Sequence, residues 1–279
     1  MRSSESVSLY QAIILAFVQA LTEFLPVSSS AHLALAPWLF GWPDQGLEFD
    51  IALHFGTLLA VITYFLRDWM QVIAQAFGIR YSPDPDLRLN GSLLWLIVAA
   101  TIPVGVAGLA LEDYVETTIR SNHVVIGGML VLVGILMYFA DKKSSCNRSI
   151  GTMTFLDAMT IGLFQALAVV PGTSRSGITI TAGLLRNLDR PSAARFSFLL
   201  STPAIGAAAL KSFYDLYRHG GIPPDMRLQF AVGVGVSAIT GLAVIAFFLK
   251  FLRSNTLRFF IAYRIVFGII VIALALFLR

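Results

Sequence analysis

The chain has 279 residues, of which 57% are hydrophobic and only 13% are charged. A soluble domain is usually about a quarter charged, so this composition, with a mean hydropathy of +0.77, indicates an integral membrane protein. The net charge of +4 does not argue for nucleic acid, because basic residues crowd the cytoplasmic loops of membrane proteins. The single cysteine excludes a disulfide within the chain.

The first predicted element is a broken helix. Residues 10–25 are apolar with a helical period, but Pro26 and the run Ser28–Ser30 interrupt them before a second apolar piece at 31–40. Each piece is short for a crossing of the bilayer, so we predict a re-entrant helical hairpin that dips into the membrane, breaks and returns. Three transmembrane helices are predicted next, at residues 51–66, 93–111 and 124–140.

The second half of the chain repeats this order. A second broken apolar segment covers residues 155–185 and is interrupted at Pro171, and Gln19-Ala-Leu recurs as Gln165-Ala-Leu. In both copies a proline and a hydroxyl-rich stretch follow, which we align as Pro26-Val-Ser-Ser-Ser with Pro171-Gly-Thr-Ser-Arg. Three more transmembrane helices are predicted, at residues 196–210, 230–249 and 259–278.

These elements predict an all-α polytopic membrane protein that forms a single integral domain over residues 1–279. Each of two repeats, at about 1–140 and 150–279, would hold one re-entrant helical hairpin and three transmembrane helices. Because three crossings is an odd number, the two repeats should be inverted relative to each other, as in transporters with midplane sites. Chance similarity between apolar segments is the alternative.

Loop charge predicts the orientation. One side of the membrane would hold twelve basic residues and the other six, and the richer side faces the cytoplasm. The cytoplasmic set is Arg67, Arg80, Arg88, Lys142, Lys143, Arg148, Arg186, Arg190, Arg195, Lys250, Arg253 and Arg258. The outer set is Arg2, Arg120, Lys211, Arg218, Arg227 and Arg279. Both termini would then lie outside, and Arg175 and Arg264 remain within membrane segments.

Ionisable residues inside a membrane segment are expensive and indicate a functional site. At the first bend, Gln19 and Glu23 share a helix face, and Ser29 and His32 share a face of the return helix. The second bend places Arg175 among the hydroxyls of Thr173, Ser174 and Ser176. Arginine binds phosphate through two parallel hydrogen bonds, so the two bends together predict phosphoryl transfer.

Simpler interpretations apply to several of these residues. Glu23 and Arg175 could form an ion pair that only holds the hairpins together, and Ser28 or Ser30 could only cap a helix. His54 lies within a predicted transmembrane helix and is interpreted as a packing residue rather than a catalyst. Arg264 either pairs with an aspartate or the backbone or reaches the site, and Asp157 is expected to cap a helix.

The motif from Gln19 to His32 (Gln-Ala-Leu-Thr-Glu-Phe-Leu-Pro-Val-Ser-Ser-Ser-Ala-His) and the motif from Pro171 to Gly177 (Pro-Gly-Thr-Ser-Arg-Ser-Gly) resemble those of a known family. That family is the bacitracin-resistance family of undecaprenyl-pyrophosphate phosphatases, and the resemblance covers essentially the whole chain. It implies a hydrolase that removes the terminal phosphate of the C55 polyprenyl pyrophosphate at the outer, periplasmic side of the bacterial cytoplasmic (inner) membrane. That reaction recycles the carrier lipid of peptidoglycan synthesis and confers bacitracin resistance.

The resemblance implies a catalytic set and a substrate-binding set. The catalytic set is Glu23, Ser29, His32 and Arg175. The substrate-binding set is Ser28, Ser30, Thr173, Ser174, Ser176 and Arg264. Ser29 is expected to act as nucleophile or substrate orienter with Glu23 or His32 as its base, and His32 as a direct phosphoryl acceptor is the second option.

The expected ligands are a polyprenyl pyrophosphate and a divalent cation, Mg²⁺ or Ca²⁺. The family often has glutamate at the position of Gln19, so the metal would be held by Glu23 with the carbonyl oxygen of Gln19. The lipid bilayer is the other partner, and a homodimer is left open. The alternative function is a polyprenyl-phosphate flippase with the inverted repeats of a transporter.

Overall fold

The computed structural model describes residues 7–218 and 221–277, and it contains no β-strand beyond one isolated bridge between Arg148 and Leu188 among these residues. Arg2 and Arg279, two of the residues predicted to lie outside, fall beyond the described part. The helices are α1 (Leu9–Phe24), α2 (Ser29–Phe40), α3 (Leu47–Tyr64), α4 (Leu66–Ala76), α5 (Leu93–Tyr114), α6 (His123–Lys143), α7 (Phe155–Ala166), α8 (Arg175–Leu185), α9 (Arg190–Arg218), α10 (Arg227–Leu252) and α11 (Arg258–Phe277).

Six of these helices, α3, α5, α6, α9, α10 and α11, are long and apolar enough to cross a membrane. They coincide with the six predicted crossings, so the prediction of an all-helical polytopic membrane protein is confirmed. The largest difference is at α9, which begins at Arg190 rather than at residue 196. Arg190 pairs with Asp141 and Arg195 with Asp68. These ion pairs stabilise the polar first two turns of α9. A search for apolar runs passes over polar residues, so it predicts a later start of the helix.

Helix α4 was not predicted. It is amphipathic, with Leu66, Met70 and Ile73 exposed while Gln71 and Val72 are buried. Eleven residues are too few for a crossing, and a search for long apolar runs therefore overlooks such a helix. The segment after it is tied to Gln71, whose side-chain amide donates to the main-chain oxygen of Asp84 over 2.9 Å. Helix α4 thus covers one end of the helix bundle.

Each half of the chain also contains a pair of shorter helices separated by a turn, α1–α2 and α7–α8. Both turns end in a serine with positive φ, Ser28 (80°) and Ser174 (67°). The side chain of each serine accepts a hydrogen bond from the backbone N–H three residues later, at Ala31 and Gly177. A non-glycine residue in this conformation is strained, so the same unusual device begins both α2 and α8. We call each turn, with the residues that flank it, a break: the first break covers residues 23–30 and the second covers residues 169–176.

Helix packing brings the two halves into one body. Helix α1 packs on α10 and α7 on α5, whereas α3 packs on α9 and α6 on α11. Helices α6 and α11 approach most closely at two glycines: a Cβ on Gly127 would lie 2.8 Å from the Gly268 carbonyl oxygen, and one on Gly268 would lie 2.7 Å from that of Gly127. Small residues permit such close contact between membrane helices. The two breaks lie within this body.

Candidate active site

The two breaks meet at a contact between Glu23 and Arg175. Glu23 lies in the last turn of α1 and Arg175 is the first residue of α8, and the Arg175 Nη2 group donates a hydrogen bond to Glu23 Oε1. Ser176 adds main-chain contacts, because its hydroxyl donates to the carbonyl oxygens of Glu23 (3.1 Å) and Leu25 (3.3 Å). The structure therefore brings together the carboxylate and the guanidinium that the sequence places 152 residues apart.

The second carboxylate oxygen of Glu23, Oε2, accepts hydrogen bonds from polar groups of the first repeat. The Ser29 hydroxyl donates to Oε2 over 2.5 Å, and the side-chain amide of Gln19 donates to the same atom over 3.2 Å. Glu23, Ser29 and Gln19 are all buried. A hydroxyl held this closely by a carboxylate has a base in place to receive its proton.

His54 reaches the same carboxylate from α3. Its Nε2 atom lies 3.5 Å from Glu23 Oε2, while its Nδ1 atom lies 2.7 Å from the carbonyl oxygen of Asp50. A carbonyl oxygen only accepts, so Nδ1 carries a proton and Nε2 is the atom that faces Glu23. The sequence interpreted His54 as a packing residue, and the structure places its imidazole beside the candidate site. No spacing along the chain links α3 to the first break, and its only signal was that of an ionisable residue inside a membrane helix.

His32 lies apart from this cluster. Its Nδ1 atom donates to the carbonyl oxygen of Ser28 (2.7 Å), so its Nε2 atom accepts from the hydroxyl of Tyr263, also at 2.7 Å. The ring is stacked against Tyr263 and Phe267. Because the Nε2 lone pair is occupied, this arrangement favours Ser29 over His32 as the phosphoryl acceptor and Glu23 over His32 as the base.

Arg264 donates four of its five guanidinium N–H groups to the main chain. It is fully buried, and its partners are the main-chain oxygens of Pro26, Leu130, Gly172 and Thr173. Pro26 belongs to the first break and Gly172 and Thr173 to the second, so Arg264 fixes the two breaks relative to each other. The observed partner of this predicted substrate-binding residue is thus the backbone.

The hydroxyl groups of the two breaks have parallel roles. Ser28 and Ser174 are the N-caps of α2 and α8, and their hydroxyls contact those of Ser30 (3.2 Å) and Ser176 (3.3 Å). Thr173 is buried, and its hydroxyl has no hydrogen-bond partner. The N-termini of two helices therefore lie at the breaks, where unpaired backbone N–H groups and the helix dipoles favour an anion.

The two N-caps also define the register of the repeat. Both caps lie nine residues after the recurring glutamine, so Ser28 corresponds to Ser174, Ser29 to Arg175 and Glu23 to Val169. The alignment through the prolines was wrong by one residue, because Pro26 corresponds to Gly172 rather than to Pro171. The predicted capping role of Asp157, by contrast, is confirmed: it forms a capping box with Thr154.

Only a few atoms at this site could hold a metal ion. No group of three or more His, Cys, Asp or Glu side chains gathers anywhere in residues 7–218 and 221–277. The available oxygen donors are the Glu23 carboxylate and the Oε1 atom of Gln19, which is buried without a partner. Such a pair fits a Mg²⁺ ion that takes its remaining ligands from water and from phosphate, as this ion usually does.

Comparison with known proteins gives the family. The family model described as Bacitracin resistance protein BacA matches residues 12–270. The chain belongs to the BacA family. The resemblance identified from the motifs at the two breaks is thereby confirmed, and both BacA motifs lie within the matched residues.

Individual BacA relatives match over nearly their whole length. A protein of Trichlorobacter lovleyi named undecaprenyl-diphosphatase is 47% identical over 266 residues, which cover 95% of this chain and 97% of the relative. A protein of Desulforudis audaxviator with the same name is 46% identical, covering 96% of this chain and 98% of the relative. A third, from Thermomicrobium roseum, is 41% identical and covers 98% and 100%, respectively.

Proposed function

We propose that this chain is a membrane phosphatase that hydrolyses undecaprenyl (C55) pyrophosphate to undecaprenyl phosphate and inorganic phosphate. The observation that carries the proposal is the convergence of Ser29, Glu23 and Arg175 at one buried carboxylate. A hydroxyl, a base and a guanidinium are the parts that phosphoryl transfer requires. The names of the BacA relatives supply the substrate. This activity returns the carrier lipid to cell-wall synthesis and accounts for bacitracin resistance.

Binding of the pyrophosphate relies on positive groups at the breaks. Arg175 provides a fork of N–H donors that matches a phosphate group, and its Nη1 atom is buried without a partner. The N-termini of α2 and α8 add backbone N–H groups and the positive ends of two helix dipoles. These groups stabilise the charge that grows on the phosphoryl oxygens in the transition state.

The reaction itself centres on Ser29. Its oxygen attacks the terminal phosphorus, Glu23 Oε2 receives the hydroxyl proton, and the bond from that phosphorus to the bridging oxygen breaks. Undecaprenyl phosphate leaves with the electron pair of that bond and takes the proton from Glu23, and a phosphate ester remains on Ser29. Glu23, again a carboxylate, deprotonates a water molecule that attacks the same phosphorus. The Ser29 oxygen leaves with the electron pair of its bond to phosphorus and takes the proton from Glu23, and inorganic phosphate is released. If Ser29 orients water instead, Glu23 activates that water directly.

His54 supports Glu23 in this scheme. Its Nε2 atom faces the oxygen that receives the Ser29 proton, and its Nδ1 atom is held by the Asp50 carbonyl. An imidazole fixed by a second partner is oriented in the same way as in catalytic triads. His54 Nε2 is therefore placed to accept the proton that Glu23 takes from Ser29.

A divalent cation is part of this proposal. Glu23 and the Oε1 atom of Gln19 would hold Mg²⁺ or Ca²⁺, and the pyrophosphate would supply further oxygen ligands. The ion would neutralise phosphate charge and align the substrate. Removal of divalent cations by a chelator should then lower phosphate release, and Gln19→Leu should raise the Mg²⁺ concentration required for half-maximal activity.

We also propose that the two repeats are inverted in the membrane and that the helix pairs α1–α2 and α7–α8 are re-entrant. The helix contacts support this arrangement, because exchanging the halves converts the α1–α10 contact into α7–α5 and the α3–α10 contact into α9–α5, all of which occur. The chemistry would lie toward the outer face of the cytoplasmic membrane, as the excess of basic residues on the other side predicts.

The lone cysteine offers a test of this orientation. Cys146 lies between α6 and α7, on the predicted cytoplasmic side. A membrane-impermeant maleimide should leave Cys146 unlabelled in intact spheroplasts and should label it after permeabilisation. A Cys146→Ser protein with Ser121→Cys, between α5 and α6, should be labelled in intact spheroplasts. The opposite pattern would contradict the proposed orientation.

The activity is tested with purified protein in detergent. The wild-type protein should release inorganic phosphate from C55 pyrophosphate in the presence of Mg²⁺ or Ca²⁺, and absence of release under both conditions would contradict the proposal. Ser237→Ala is a suitable control. Ser237 is buried like Ser29, but it only donates to the main-chain oxygen of Ala16, so its loss should leave the rate within about twofold.

A further inference from the structure

Buried polar atoms without a hydrogen-bond partner lie in the second break and on the helix before it. Gln165 is fully buried on α7, and neither its nitrogen nor its oxygen has a hydrogen-bond partner. The Thr173 hydroxyl and the Nη1 atom of Arg175 are unpartnered as well. With Gln19 Oε1, these atoms make up five of the ten buried, unpartnered side-chain atoms among the described residues. A polar group without a partner is costly away from water, so this concentration indicates a polar ligand.

The correspondence between the two repeats relates Gln165 to Arg175. Gln165 corresponds to Gln19, and Arg175 corresponds to Ser29 in the register that the two N-caps define. In the first repeat, Gln19 and Ser29 reach the same oxygen of Glu23. Helices α7 and α8 pack together as α1 and α2 do. The correspondence therefore predicts that the side chains of Gln165 and Arg175 face the same ligand.

The second break differs from the first in charge. Val169 stands where the first repeat has Glu23, so the second break offers Thr173 and Arg175 without a carboxylate of its own, and α7 adds Gln165. Arg175 Nη2 is already bound to Glu23, which leaves Nη1 as a charged donor. The Gln165 amide and the Thr173 hydroxyl add two neutral donors. A donor set with one positive charge suits a phosphate group.

A pyrophosphate carries one phosphate group on each side of its bridging oxygen. The protein offers two related breaks, one for each phosphate group. We infer that the second break, through Thr173 and Arg175 Nη1, and Gln165 of α7 hold the lipid-linked phosphate of the substrate while the first break attacks the terminal phosphate. This inference rests on the proposed function and makes Gln165 a residue that selects diphosphates over monophosphates. The terminal phosphate is attacked at the first break, where Glu23 provides a carboxylate. The lipid-linked phosphate is only bound, at the second break.

The inference is tested by ligand binding as well as by turnover. Methylene diphosphonate, which is not hydrolysed, and orthophosphate are titrated into the detergent-solubilised protein, and the dissociation constants come from the shift in unfolding temperature. Gln165→Leu should weaken diphosphonate binding about tenfold or more, because a charged ligand loses a hydrogen bond, and should weaken orthophosphate binding less, because orthophosphate can also bind at the N-terminus of α2 in the first break. Thr173→Val should also weaken diphosphonate binding more than orthophosphate binding. Thr173→Ser keeps the hydroxyl and should bind diphosphonate like the wild-type protein.

The control is Gln229→Leu, which removes a glutamine that also has a buried, unpartnered oxygen but lies at the start of α10. It should change neither affinity. Unchanged diphosphonate binding in Gln165→Leu and Thr173→Val would overturn the inference, and so would an equal loss for both ligands. If the wild-type protein binds diphosphonate but releases no phosphate from C55 pyrophosphate, the proposed function fails while the binding comparison still decides the role of Gln165.

Discussion

The two breaks have the same backbone conformation at their N-caps but carry different side chains. Each follows a short helix that carries a buried glutamine, and each ends in a serine N-cap with positive φ. At equivalent positions, however, the first break has Glu23 and Ser29 where the second has Val169 and Arg175. In the proposed mechanism, the two turns offer an anion equivalent helix N-termini, and the side chains beside them divide the chemistry.

The strongest test of this division is the removal of the nucleophile from the first break. Ser29→Ala should lower kcat by about a thousandfold or more, as the loss of a catalytic serine does in hydrolases. Ser176→Ala in the second break should cost far less, because its hydroxyl contacts main-chain oxygens and the Ser174 hydroxyl rather than the Glu23 carboxylate. Phosphate release from C55 pyrophosphate measures both. Equal losses in the two variants would contradict the division.

Removal of the charge from the second break should have the next largest effect. Arg175→Ala should lower kcat/KM by between about a hundredfold and a thousandfold, because one main stabiliser of transition-state charge is lost. Arg175→Lys keeps the charge but not the planar fork, and should recover only part of the loss. The steady-state kinetics of the two variants give this ranking. Full activity of Arg175→Ala would show that Arg175 only holds the two halves together.

His54 provides a comparison with His32. His54→Asn should lower kcat by about a hundredfold, because its imidazole faces the oxygen of Glu23 that receives the proton. Tyr263→Phe removes the partner of His32 Nε2, and should change kcat less than His54→Asn does. A larger loss of kcat in Tyr263→Phe than in His54→Asn would show that His32 acts as the base or as the phosphoryl acceptor.

The smallest expected effect concerns the backbone of the second break. Gly172 has a φ of +92°, and a Cβ at this position would lie 2.4 Å from the carbonyl oxygen of Ile126. Gly172→Ala should lower the unfolding temperature by about 5 °C or more. Gly221→Ala is the matched control, since Gly221 also has a positive φ (+80°) but open space around it. It should show only the strain of the backbone, about 1–2 kcal/mol, and equal shifts in the two variants would contradict the steric argument.

The sequence predicted what depends on local pattern. The six crossings follow from apolar length, and both breaks follow from proline and serine within apolar segments. The family followed from two long motifs. Helix α4 was not predicted, because its amphipathic pattern is too short for a crossing.

Contacts between distant segments could not be predicted in the same way. Nothing in the spacing of α3 places His54 at Glu23, and nothing in α11 shows whether Arg264 bonds to the backbone or to a ligand. Those contacts depend on how the helices pack. The register error at the prolines has a different origin. Counting from Gln19 and Gln165 pairs Ser28 with Ser174, whereas the two prolines lie at different positions in their turns.

Arg264 has a consequence for the order in which the protein is assembled. Among the described residues no carboxylate pairs with this buried arginine, and three of its four acceptors are carbonyl oxygens of the two breaks. A lone arginine in the hydrocarbon core is costly, so α11 is stable in its final position only after both breaks are in place. Because α11 follows both breaks along the chain, it is also synthesised after them, and a nascent chain that stops before α11 would hold two turns that Arg264 does not yet connect.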